Sequence, residues 1–324
     1  MPAALPTSLE SARTTVFNVF ASLGVFSTAF VLVPAFLSPH IKRSGVWFGV
    51  LISYLVYSVI YLLLAGRQFE PEVPLGLCFF QAILIYGIVP VCGVSTVCFS
   101  IDFYLRLSII KFRSKRANRK TTNLLVCVPW IFGLLVTAIS ALCVNDVSQV
   151  RPDANNFYCH ITNPIPSLIN IIIILLCGLF INVLQIYMAI FLYRNWAVFK
   201  RLSKDQPQIA FSTFIRLTLF NLIVTTAIVL SIITATNHFK DTVPAWSIVL
   251  AACKLYDITV ISNYSGRAHC LDPVPLFSAL SFGAQKDILL AWLFWRRREL
   301  NISALPTTLG ASMVTEHPRM TLDE

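Results

Sequence analysis

The chain has 324 residues, of which 56% are hydrophobic and 12% charged, and its mean hydropathy is +0.74. A soluble chain of that length has no way to hide so much apolar surface. The formal charge of +10 does not point to nucleic acid, because Lys and Arg cluster at the ends of apolar runs and not along one face.

A membrane-spanning helix needs about 20 mostly apolar residues. Runs of that kind lie near 17–36, 46–65, 77–110, 124–144, 168–192 and 209–236. A seventh, near 243–284, is interrupted. Residues 1–15 carry only Glu10 and Arg13, and no small-residue cleavage site follows the first run. Helix 1 is therefore expected to act as its own insertion signal. Lys42 and Arg43 follow it. Helix 2 places Ser53, Tyr54, Tyr57, Ser58 and Tyr61 at three- and four-residue spacing, hence on one face. That face should turn away from lipid.

Helix 3 opens at Cys78 and carries Asp102 and Arg106 near its far end, four residues apart, the spacing that brings side chains together on a helix. Lys111, Arg113, Lys115, Arg116, Arg119 and Lys120 follow it. Helix 5 carries Asn182 and Gln185, and helix 6 carries Thr218, Asn221 and Thr225. Hydrogen bonds between helices are the first reading of these stripes, ahead of ligand contact. Arg194, Lys200, Arg201 and Lys204 follow helix 5, whereas the alternate loops hold only Arg67, Arg151 and Lys240. Lys- and Arg-rich loops stay cytoplasmic, so the expected topology puts the N-terminus outside. Arg216, near the inner end of helix 6, is placed to approach Asp102 and Arg106 in an inner charge lock. Local pairing of Asp102 and snorkelling of the two arginines is the equal alternative. Pro34, Pro90 and Pro129 fall inside helices 1, 3 and 4, where proline removes a backbone donor.

Of nine cysteines, Cys92, Cys98, Cys127, Cys143 and Cys177 fall inside helices as small apolar fillers. Cys78 and Cys159 both fall on the outer side, where oxidation is permitted. They are expected to bridge, tying the loop between helices 4 and 5 over the bundle mouth; two free thiols are the alternative.

Within the seventh segment, 243–253 and 273–284 are each half a span. Residues 254–272 between them carry scattered charges and a glycosylation sequon at Asn263. Two explanations stand: translation of a retained intron, or a re-entrant segment buried in protein. Residues 286–298 hold Trp292, Trp295 and Arg296–Arg298 in a run too short to span. A helix lying in the cytoplasmic interface fits them. Residues 299–324 are polar and are expected to be a disordered cytoplasmic tail.

The fold class expected from these runs is an all-α integral membrane protein. It is a seven-transmembrane helix bundle with an extracellular N-terminus (1–15), a membrane domain (16–285), a short cytoplasmic interfacial helix (286–298) and a tail (299–324). Residues 71–90 (PEVPLGLCFFQAILIYGIVP) and 280–298 (LSFGAQKDILLAWLFWRRR) carry a resemblance. The chain looks like a seven-helix G-protein-coupled receptor, and more narrowly resembles heptahelical receptor-like proteins of mushroom-forming fungi. The second stretch is similar to the end of the last helix in fungal lipopeptide-pheromone receptors. Cys78, Cys159 and Trp130 match general receptor features. Leu105–Arg106–Leu107 stands in place of the acidic–Arg–Tyr triplet of the rhodopsin-like class, and helices 6 and 7 lack that class's proline motifs.

The resemblance implies a plasma-membrane receptor whose partners, beyond the lipid bilayer, are an extracellular ligand and a heterotrimeric G protein. Gln81, Tyr86, Asn170 and Trp246 are the ligand-site residues expected on that view. Arg113, Lys115, Arg116, Lys200 and Arg201 are the expected G-protein contacts. No nucleic-acid partner, metal or cofactor is expected. His40, His160, His238, His269 and His317 all fall in loops or the tail, and Asp102 is the only acid in helices 1–6. A membrane hydrolase, which needs a metal cluster or carboxylate pair, is disfavoured. A small-molecule transporter or a membrane-embedded biosynthetic enzyme is the alternative, although no internal repeat supports transport. A retinal protein would need Lys254 as its lysine, inside the anomalous segment.

Overall fold

A computed structural model describes residues 8–38, 43–68, 73–112, 119–144, 146, 149–152, 157–195, 214–222, 225–226, 274–283 and 288. Helix α1 runs Ser8–Leu37, so it starts inside the stretch 1–15 expected to precede the bundle, and its apolar span begins at Thr14. α2 runs Gly45–Tyr61. Ser44 caps it, its Oγ accepting from the Trp47 N–H at 3.2 Å, which satisfies one of the donors that a helix start leaves open. A 3₁₀ turn, Leu62–Leu64, continues it. The chain then reverses through Gly66, whose φ of +87° is cheap only without a Cβ. α3 runs Leu75–Phe112, α4 Arg119–Leu142 and α5 Pro164–Arg194. Asn163 caps α5, its Oδ1 accepting from the Ile165 N–H at 3.1 Å. Residues 214–222 are helical (α6), as are 225–226, and α7 runs Val274–Gly283.

Helices α1 to α5 are long and apolar enough to cross a membrane, the architecture of a multi-pass membrane protein. At 1.5 Å per residue α3 is about 57 Å long against a hydrocarbon core of about 30 Å, so it tilts or projects beyond the bilayer.

α3 is the axis of the bundle, packing on α2, α4 and α5, while α7 lies against α1 and α2. The α3–α4 crossing is close because two glycines meet it. A Cβ at Gly87 would collide with Thr137, and one at Gly133 with Val91. Small residues at crossings let membrane helices approach. The polar face of α2 turns inward as its spacing predicts. Ser53 and Ser58 are buried and bond carbonyls of their own helix, and the Tyr54 hydroxyl lies 3.2 Å from Thr96 Oγ1. Leu134 and Leu135 on α4, and Leu176, Leu179 and Val183 on α5, stay exposed. Exposed apolar rows on membrane helices are where acyl chains lie.

The two ends differ. At one, the α4–α5 connection forms a two-stranded antiparallel sheet, β1 (Val150–Pro152) and β2 (Cys159–Ile161), with Arg151 opposite His160. At the other lie Arg43, Arg106, Lys120 and Arg194. They are called here the hairpin end and the basic end. Expectations about Arg113, Lys115, Arg116, Lys200, Arg201, Trp246, Asn263, the segment 254–272, the interfacial helix 286–298 apart from Ile288, and the tail 299–324 lie outside the described residues.

Candidate functional site

At the hairpin end, β2 is clamped onto α3. Cys78 and Cys159 are disulfide-bonded, with their Cα atoms 5.3 Å apart. Leu64, Cys78, Ala82, Tyr86, Val150, Cys159 and Ile161 form a small apolar cluster beneath the strands. Gln81 sits nearly two turns into α3 and is fully buried. Its Nε2 donates to the Ile60 carbonyl at 3.0 Å, and its Oε1 accepts from the Cys159 N–H at 3.1 Å. One amide thus ties the end of α2 and the strand carrying the disulfide to α3.

A second amide pair ties in α1. Asn18 Nδ2 donates to Gln68 Oε1 at 2.7 Å, and Gln68 Nε2 donates back to Asn18 Oδ1 at 3.1 Å and to the Phe157 carbonyl at 3.2 Å. Phe17 stacks on Phe157 with centroids 5.0 Å apart. The only sequence signal for this clasp was a lone Asn in an apolar run. Its partner is 50 residues away.

Below the strands, the Tyr86 hydroxyl donates to the Ile161 carbonyl at 3.4 Å and lies 3.2 Å from Ser167 Oγ. Asn170 follows Ser167 by three residues, on the same face of α5. It is 9% exposed, and its Oδ1 is buried with no hydrogen-bond partner. A buried polar atom left unpaired is costly, and in a membrane more so. Of the expected ligand-site residues, Tyr86 and Asn170 therefore lie on facing helices under the hairpin. Gln81 lies higher and is already bonded within the protein.

At the basic end, Arg106 Nε donates to Asp102 Oδ2 at 2.9 Å, with the Asp102 side chain 4% and Arg106 50% exposed. This is a pair within α3, between a buried carboxylate and a half-exposed guanidinium. No described ion pair joins Arg216 to either. α6 is instead held to α5 by neutral groups. Asn221 Nδ2 donates to Asn182 Oδ1 at 3.1 Å, Asn182 Nδ2 to Thr225 Oγ1 at 3.2 Å and Thr218 Oγ1 to Gln185 Oε1 at 3.3 Å. The polar stripes of helices 5 and 6 meet as interhelical hydrogen bonds, the first reading of their spacing.

A shallow groove of about 360 Å³ runs along α1 between Thr15 and Phe26, and a narrow crevice lies among α2, α3 and α4 beside Ser95 and Pro129. Tyr86 and Asn170 line neither. No group of three or more His, Cys, Asp or Glu is placed to hold a metal among the described residues. No protein-family model matches the chain, and no curated protein matches it either.

Proposed function

We propose that this chain is a receptor-like plasma-membrane protein of the seven-helix G-protein-coupled type. Its hairpin end and N-terminus face outward, and its basic end meets a cytosolic heterotrimeric G protein. The observation that carries the reading is the strand pair clamped by Cys78–Cys159 over α3, with the unpaired Asn170 acceptor below it. An extracellular ligand binds between the helices there and shifts an existing equilibrium toward an open basic end. Tyr86, Asn170 and Trp246 contact it. Gln81 shapes the site by holding β2, because its amide is committed to Ile60 and Cys159. The basic loops with Arg113, Lys115, Arg116, Lys200 and Arg201 receive the G protein. Asp102 and Arg106 stand at that end as an ion pair within α3.

Nucleotide exchange on a G protein co-expressed in the same membranes tests the reading. Asp102→Lys and Arg106→Glu, which break the ion pair at that end, should each change basal exchange several-fold. Exchange that stays at background for the wild type and both variants overturns it. Saturable uptake of a small solute by the same membranes would then favour transport.

A further inference from the structure

We propose that the corner where α2 and α4 start is a binding site for an anionic phospholipid, its phosphate held by Arg43 and Lys120 and its acyl chain laid along α4. The site does not depend on the receptor reading above.

Two helix starts meet at this corner. A Cβ at Gly45 would lie 3.5 Å from Val126 Cγ2. Arg43 precedes Gly45 by two residues and Lys120 precedes Val126 by six, so that contact brings both cations to one corner of the basic end. Arg43 is held in place: its guanidinium carbon lies 5.9 Å from the centroid of the Trp47 ring, and Trp47 is itself buried. A guanidinium already positioned loses little freedom when it meets a phosphate. Lys120, Thr121 and Asn123 are exposed and add donors beside it.

Charge is the argument for an anion. No acidic residue occurs between Glu10 and Glu70, nor between Asp102 and Asp146. Neither stretch supplies a counter-charge of its own, and Asp102 is buried against Arg106. Lys42 and Arg43 stand just before α2, and Arg119 and Lys120 open α4, with no acid in either first turn. That is the positive end of each helix dipole, where cations weaken a helix. Local helix stability therefore does not explain them, whereas an anion at the corner offsets their repulsion.

Cytoplasmic topology accounts for positive charge at this end of the bundle. It does not account for where that charge sits. Lys120 heads a row on one face of α4 that continues through Leu124, Ile131 and Leu135, all exposed. A cation at the head of a lipid-facing apolar row fits an amphiphile, with its phosphate at the interface and its chain below. A free phosphate would use none of the row.

Native mass spectrometry of the full chain in detergent tests the site, by titration with phosphatidylglycerol or with phosphatidylcholine of the same chains. Phosphatidylglycerol should bind roughly thirtyfold more tightly, the worth of two cations. Arg43→Gln combined with Lys120→Gln should erase that preference. Lys120→Gln alone should remove about fivefold of it, and serves if loss of the Arg43–Trp47 contact unsettles the fold. Arg194→Gln, which removes a cation from α5 at the same end, should leave the preference intact. Equal binding of the two lipids by the wild type overturns the site. So does a preference that Arg194→Gln erodes as much as Lys120→Gln, because the cause is then the diffuse field of the basic end. Inorganic phosphate that displaces phosphatidylglycerol at equal concentration overturns the lipid in favour of a free anion.

Discussion

Inside an apolar bundle, Gln81 and Asn170 have no water to fall back on, and the two amides are treated differently. Gln81 is bonded at both ends of its amide. Gln81→Leu would leave the Cys159 N–H buried and unpaired, at roughly 1–3 kcal/mol. The expected outcome is a Tm several degrees lower in detergent, read by fluorescence. Asn170 holds a stranded acceptor, so Asn170→Leu should leave Tm unchanged or raise it, for up to about 1 kcal/mol of stabilisation. On the receptor reading it should also abolish ligand-stimulated exchange. A large loss of stability in Asn170→Leu would mean that the amide is structural after all. Sequence reading named both residues, because polar groups in apolar runs stand out. It did not separate their roles, because the partners of Gln81 lie 21 and 78 residues away. Asp102 and Arg106 were legible as a pair because their partnership is local.

At the scale of elements, apolar run length found α1 to α5, and the ends were then set by caps that the runs do not reveal. α5 starts at Pro164 after the Asn163 cap, earlier than its first long apolar stretch. The strands β1 and β2 left no trace in the sequence. Three residues each are too few for an alternating pattern, and their place is set by the disulfide and by Gln81. The bridge closes a loop with a sequence separation of 81, and a loop of that size is worth up to about 4–5 kcal/mol. Cys78→Ala and Cys159→Ala should therefore lower Tm by equal amounts, and the double variant should match either single. Reductant should bring the wild type down to the same Tm. Unequal singles or an additive double would mean that the thiols act separately. The α3–α4 crossing gives a second element-scale prediction. Gly87→Ala forces a Cβ against Thr137, whose own Cβ is 3.2 Å from it, and overpacking costs about 1–3 kcal/mol. Thr137→Ala in the same chain should recover part of the loss, because it removes the nearest atom. A double variant no better than Gly87→Ala would place the strain elsewhere.

For the whole molecule, the question that orders all others is which end faces out. Arg43, Arg106, Lys120 and Arg194 gather at one end of the described bundle, while Arg67 and Arg151 lie at the hairpin end. Positive charge stays cytoplasmic, and a disulfide persists where the medium oxidises. These two rules give the same expected orientation. The chain carries two sequons that probe it. Asn301 follows Arg296–Arg298, so on this topology it is cytoplasmic and carries no sugar. Asn263 lies in the anomalous 254–272 stretch, and a glycan there would put that stretch on the hairpin side. The chain expressed in a glycosylating host should therefore show no glycosidase shift that depends on Asn301. Any shift should vanish with Asn263→Gln and persist with Asn301→Gln. A shift lost with Asn301→Gln would invert the bundle. The hairpin would then face the cytosol, and the receptor reading would fail with the orientation it depends on.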